Sequence, residues 1–188
     1  NSSARHVAEV IGSDTALTAT LLRLVNSPLY GFPSEVDSIS RAVALLGSNE
    51  LCTLVLGITA VNRFRNIPQD VYDMRAFWHH ATACAVLARL LAGYKTGLSV
   101  ERFFVAGLLH DVGKTVMEIF DKNRMKELNR LTALGADQLY LEQTLFGFLH
   151  TEAGAVLGQK WKLPQIIIDC IRYHHNPQDA DGLPLAQI

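Results

Sequence analysis

The sequence predicts an all-α protein made of two helical subdomains, residues 1–66 and 67–188, packed together. Apolar residues recur at helical spacing through almost the whole chain, and no run alternates like a strand closed by a hairpin turn. Capping residues and glycine or proline breaks bracket those apolar runs. With 49% hydrophobic and 19% charged residues over 188 positions, the chain can bury a sizeable core and is not disordered.

The elements follow in order. Asp14 caps a helix carrying Leu17, Leu21, Leu24 and Val25, which stops before Asn26-Ser27-Pro28. Asn26 to Asp37, with Pro28, Gly31 and Pro33, reads as a loop anchored by Tyr30 and Phe32. Ser38 or Ser40 opens a helix that Gly47 closes, and Ser48 starts a long apolar helix through Arg63. Asn66-Ile67-Pro68-Gln69-Asp70 is the linker. Beyond it, helices are expected over 71–93, 99–111, 114–133, 136–149, 152–161 and 164–174, punctuated by Gly93, Gly97, Gly135 and Pro164.

Composition narrows the function. A net charge of −1, from 17 basic and 18 acidic residues, leaves no electrostatic footprint for nucleic acid or an anionic membrane. Arg63 with Arg65, and Arg124 to Lys126, read as solvated surface, and a DNA-binding module would need a basic recognition helix. Cys52, Cys84 and Cys170 stand singly in apolar helical patterns, which suits buried thiols in a reducing compartment and excludes a zinc ribbon. The first residues lack the pattern of a signal peptide, and Leu51 to Val61 is too short to span a bilayer, so a cytoplasmic location is expected.

Chemistry concentrates on histidines. His110-Asp111, closing the apolar run Phe103 to Leu109, offers an imidazole nitrogen and a carboxylate oxygen to a divalent metal. Capping of the following helix is the alternative role for Asp111. On the helix before it, Arg75, Thr82 and Arg89 form a polar stripe; His80 lies about 160° from Thr82 and His79 about 60°. His80 is thus expected to point into the core with Cys84, Leu87 and Leu91, as a ligand or as a satisfied core histidine.

His150 lies between apolar helices and serves either as a ligand or as a helix end bonded to a carbonyl. His174 and His175 follow Ile167, Cys170 and Ile171, where one of the pair tracks the apolar face unless the helix frays. Together, five imidazoles and a carboxylate suit Fe, Mn or Zn better than Mg or Ca. Such a cluster activates water and neutralises a phosphoryl oxygen. Lys114 either adds positive charge to a phosphate transition state or is an exposed lysine at a helix start.

In this order the residues resemble the HD superfamily of metal-dependent phosphohydrolases, and most of all the HDOD domain of bacterial signalling proteins. In the first half the likeness rests on Asp14 to Thr18, Leu21 to Pro28 and Ile39 to Gly47. In the second it rests on Phe77 to His80, Gly107 to Lys114, His150 to Gly154 and Trp161 to Pro164. The resemblance implies an N-terminal helical bundle followed by an HD-like bundle, and a regulatory role beside other signalling domains or proteins. It implies that His80, His110, Asp111, His150, His174 and His175 stand at metal-ligand positions; only if the site is active are Asp111 and Lys114 expected to carry catalysis. Many relatives have lost part of the metal set and do not catalyse.

The chain departs from the catalytic pattern in two places. A further ligand Asp is expected on a helix after the double histidine, and the sequence stops at Ile188 before that helix is complete; Asp179 and Asp181 stand too close to replace it. The cyclic di-GMP phosphodiesterases of the superfamily carry a Glu and a Gly-Tyr-Pro where this chain has Asn176 and Gly182-Leu183-Pro184. The expectation is a regulatory interaction domain with a retained His/Asp metal site. The alternative is an active phosphohydrolase on a nucleotide or cyclic dinucleotide.

Overall fold

The computed structural model describes residues 2–64, 73–94 and 100–180. Among them are eleven α-helices, one 3-10 turn and no strand. The chain divides into two compact units, residues 1–65 and 66–188. The expected linker Asn66 to Asp70, Gly97, Asp181 and Gly182-Leu183-Pro184 lie outside the described residues.

The first unit contains α1 (Ser2–Gly12), α2 (Thr15–Val25), α3 (Ile39–Leu46) and α4 (Ser48–Phe64). Helix α1, which the sequence reading did not anticipate, packs on the other three. Asp14 caps α2 by accepting from the Leu17 N–H, and Ser38, not Ser40, caps α3 by accepting from that of Arg41. Gly47 ends α3 at φ +89°, a backbone state open to glycine, and the chain turns by 118° into α4. The Asn26 side chain ties down the intervening loop by bonding both the N–H and the carbonyl of Val36. Leu21, Val25, Val36, Ala42, Leu51 and Leu54 are buried at the centre of this unit. No single helix among the described residues is long and apolar enough to cross a membrane.

The second unit contains α5 (Met74–Gly93), α6 (Val100–Leu109), α7 (Val112–Phe120), α8 (Lys122–Ala133), α9 (Gln138–Phe146), α10 (His150–Lys160) and α11 (Gln165–Tyr173), with the 3-10 turn at Pro177–Asp179. Helix α6 packs between α5 and α11, α11 on α10, α10 on α7, and α8 between α7 and α9. The side chains of Leu109, Met117, Met125, Ile167 and Ile171 are fully buried. Each such burial stabilises the fold by about 1.5–3 kcal/mol.

Three expectations are corrected here. The helix expected over 114–133 is two helices. Asp121 adopts an extended backbone and its carboxylate accepts from the N–H groups of Asn123 and Arg124, so it ends α7 and starts α8. The helix expected from 152 begins at His150, with the Glu152 carboxylate accepting from the Leu149 N–H. The core face of α5 is Met74, Phe77, Ala81, Ala85 and Ala92, whereas Leu87 and Leu91 are 59% and 51% exposed.

The reason for the last difference is close packing. A Cβ on Gly107 of α6 would lie 2.8 Å from the Cα of Ala85 and from the carbonyl oxygen of Cys84. Only small residues let the two backbones meet so closely, so alanines face α6 and the leucines do not. All three cysteines are free, as expected, but none is fully buried: Cys52 is exposed, and Cys84 and Cys170 are partly buried.

Candidate metal centre

Two close helix crossings bring the site together. The contact at Gly107 lays the end of α6 on α5, and His110 Nε2 comes to 3.2 Å from His80 Nε2. At the second crossing, a Cβ on Gly113 would overlap the carbonyl of His150 and approach the N atom of Gly154 to 2.7 Å. Glycines at 113 and 154 thus allow α7 to lie on the start of α10. Helix α11 ends at Tyr173, so both His174 and His175 lie beyond its last turn.

Asp111 is the centre of the arrangement. It occupies the N-cap position of α7 but makes no capping hydrogen bond with its side chain. Its carboxylate, 5% exposed, faces the histidines instead. Oδ1 lies 3.2 Å from His150 Nε2 and 3.6 Å from His174 Nε2. Oδ2 lies 3.4 Å from His110 Nε2, 3.7 Å from His80 Nε2 and 2.7 Å from Lys114 Nζ. Lys114 is therefore not an exposed helix-start lysine: its side chain is 12% exposed and donates to Asp111.

His80 turns toward His110 and Asp111, but its side chain is 56% exposed, so it stands at the mouth of the site and not in the core. His79 is exposed. His175 packs its ring on His174 and His150, with centroids 4.3 and 5.1 Å apart.

Hydrogen bonds set the ring tautomers. His110 Nδ1–H donates to the Gly107 carbonyl at 2.8 Å, and His174 Nδ1–H to the Ile171 carbonyl at 2.9 Å. His150 Nδ1–H donates to Glu142 at 2.7 Å. In the neutral form each of these rings therefore points an Nε2 lone pair toward Asp111. His150 and His174 Nε2 stand 3.3 Å apart, and Asp111 Oδ1, although buried, accepts no hydrogen bond. Lone pairs that converge on a buried carboxylate repel unless a proton or a cation lies among them. These donors fit a divalent transition metal.

Glu142 was missed in the sequence. It is 1% exposed, accepts from the ring and the backbone N–H of His150, and also accepts from the Gln138 amide at 2.7 Å. A carboxylate holding the outer nitrogen of a ligand histidine fixes its orientation. A signal was present, since Glu142 is a charge three and four residues before Leu145 and Phe146, on their apolar stripe.

The protonation states follow from these contacts. Burial pushes the Asp111 carboxyl up, but the His110, His150 and His174 rings, which become donors to it once protonated, outweigh burial and hold the group well below the usual carboxylate range. Burial likewise opposes the charge on Glu142, and the His150 and Gln138 contacts keep it ionised. Burial lowers His150 while Asp111 and Glu142 raise it, and the net shift is upward. Partial burial, with His174 and His150 beside it, lowers His175 to about 4, which leaves that ring neutral and able to bind a metal at neutral pH.

Two donor groups result: Asp111, His150, His174 and His175 on one side of the carboxylate, and His80, Cys84 and His110 on the other. A cavity of about 460 Å³ opens beside them, lined by Asp73, Ala76, Phe77, His80, Asp111, Lys114 and Asn129.

An all-helical fold whose helix ends converge histidines on one buried aspartate defines a domain of the HD type. The HDOD domain family matches residues 1–177, and the chain belongs to that family. It is 30% identical to a Shewanella amazonensis protein of known structure, provisionally named a phosphohydrolase; the match has a TM-score of 0.79 and covers 97% of this chain and 65% of that one. It is also 30% identical to an HDOD domain protein of unknown function from Geobacter sulfurreducens, with a TM-score of 0.76 over 96% of this chain and 60% of that one. An uncharacterized protein of Treponema pallidum (strain Nichols) is 31% identical over an alignment of 176 residues that covers 90% of this chain and 33% of that protein. The chain thus spans less than two thirds of each of these relatives.

Proposed function

We propose that this chain is a regulatory signal-transduction domain that holds a divalent transition metal (Fe, Mn or Zn) on His80, His110, Asp111, His150, His174 and His175. Its helical surfaces contact other signalling domains or proteins, and it works in the cytoplasm. The observation that supports the reading most is the buried Asp111 carboxylate, with Oδ1 unbonded and Nε2 atoms of four histidines 3.2–3.7 Å from its oxygens. A metal there ties together the ends of α6, α10 and α11 and the first half of α5, so that binding and domain conformation are linked.

A second reading, hydrolysis of a phosphodiester or nucleotide, is favoured by the cavity that opens onto Asp111 and Lys114. A bound divalent metal supplies Lewis acidity and a water of lowered pKa. Lys114, held on Asp111 at the cavity wall, places positive charge where a phosphate would sit.

Metal analysis of protein purified without an affinity tag, followed by assay on bis(p-nitrophenyl) phosphate with added Mn or Fe, separates the two. The regulatory reading expects bound metal without turnover. Turnover that disappears in Asp111→Ala would replace it with the hydrolytic one, and protein that retains no metal from any added ion would overturn the metal centre.

A further inference from the structure

We propose that Cys84 is a further ligand of this metal centre, its thiolate joining His80, His110 and Asp111 Oδ2 on the α5 side of the carboxylate and favouring a thiophilic divalent ion such as zinc. This rests on the reading above that the cluster binds metal, and adds a ligand and a selectivity to it.

Cys84 follows His80 by four residues on α5, so the two side chains share a face. Its Sγ lies 3.6 Å from His80 Nε2. Among the other three donors the separations are 3.2 Å between His80 and His110 Nε2, 3.4 Å from His110 Nε2 to Asp111 Oδ2, and 3.7 Å from His80 Nε2 to the same oxygen, and Cys84 Sγ lies within 4.8 Å of a His110 ring nitrogen. A tetrahedral zinc ion, with bonds of about 2.0–2.1 Å to nitrogen or oxygen and 2.3 Å to sulfur, separates two N/O donors by roughly 3.3 Å and a nitrogen from a sulfur by roughly 3.6 Å. The nitrogen and oxygen donors, and Cys84 Sγ with His80 Nε2, already stand near those separations.

The tight crossing at Gly107, which places α6 against the Cys84 carbonyl, holds this part of α5 beside His110. Asp111 Oδ2, after accepting from Lys114, keeps a lone pair for a metal. Binding breaks the S–H bond and forms a sulfur–metal bond; the proton passes to the buffer and nothing is oxidised or reduced. A thiolate favours zinc, cobalt or ferrous iron over magnesium or manganese.

The test loads chelator-stripped protein with Co(II) and reads the near-ultraviolet sulfur-to-cobalt charge-transfer band. The band is expected in the wild type, Cys52→Ala and Cys170→Ala, and absent in Cys84→Ser and Cys84→Ala. Zinc affinity should fall about tenfold or more in both Cys84 variants. Circular dichroism checks that the variants are folded; in the unmodified chain, zinc should also protect Cys84 from iodoacetamide. Cobalt bound by the wild type without the band, or a band that survives Cys84→Ala, overturns this proposal alone. Failure to bind any cobalt overturns it together with the metal centre.

Discussion

At the scale of single residues, Asp111 and Glu142 show what polar burial does in this chain. Both carboxylates are nearly inaccessible: Glu142 accepts from His150 and Gln138, and Asp111 accepts from Lys114 while four histidine rings face it. Glu142→Gln keeps the shape but replaces a double acceptor with an amide, so His150 loses the partner that fixes its ring. Metal affinity should fall about 10–100-fold, measured by competition against a chromophoric chelator. Stability should drop by about 1–3 kcal/mol in urea unfolding, because a buried donor is left poorly paired. Unchanged affinity would mean that Glu142 supports the fold and not the ligand. The sequence distinguished His80 from His79 by rotation about the helix, but not its exposure, which depends on how much of α5 its neighbours cover. Glu142 stood out only as a charge on an apolar stripe, and periodicity could not name its partner His150, which lies across a turn.

At the scale of elements, glycines and caps decide which side chains meet. Gly113→Ala would push a methyl group into the His150 carbonyl and force α7 and α10 apart. About 1–3 kcal/mol of destabilisation or more is expected, together with weakened metal binding, since Asp111 and His150 sit on opposite sides of that crossing. Gly93→Ala, where nothing lies within 4 Å, is the control and should change the urea midpoint little. Equal effects of the two substitutions would refute the role given to the crossing. Most helices of the second unit were legible from periodicity and punctuation. The break at Asp121 was not, because the flanking apolar pattern continues through it and only the cap marks it. On α5 hydrophobicity pointed to the leucines, while close approach selected the alanines.

At the scale of the whole molecule, the histidine cluster makes stability depend on pH in a sense that can be worked out. His150 is raised, so in metal-free protein its contribution is full below the unfolded imidazole value of about 6.5 and is lost as pH rises through the higher folded value. His175 is lowered to about 4, so its contribution is present above about 6.5 and is lost as pH falls toward 4. Asp111 and Glu142, both depressed, add to the acid limb below about pH 4. Urea midpoints in chelator should therefore peak near pH 6.5, and saturating zinc should raise them most on the alkaline side, where it no longer competes with the His150 proton. A chelator-treated midpoint that climbs steadily to pH 8.5 would contradict the assignment. Overall class was the most legible property of the sequence, because the order of motifs extends over both units, whereas the geometry around Asp111 depends on crossings between distant segments.

Whether histidines from four segments and Asp111 hold a metal together is decided by calorimetric titration of zinc into chelator-stripped protein at neutral pH, in buffers of different ionisation enthalpy. Saturable binding with proton release is expected in the wild type, with loss of most of that affinity in both Asp111→Ala and His150→Ala. Heats indistinguishable from dilution in the wild type, or binding that both variants retain, would contradict it.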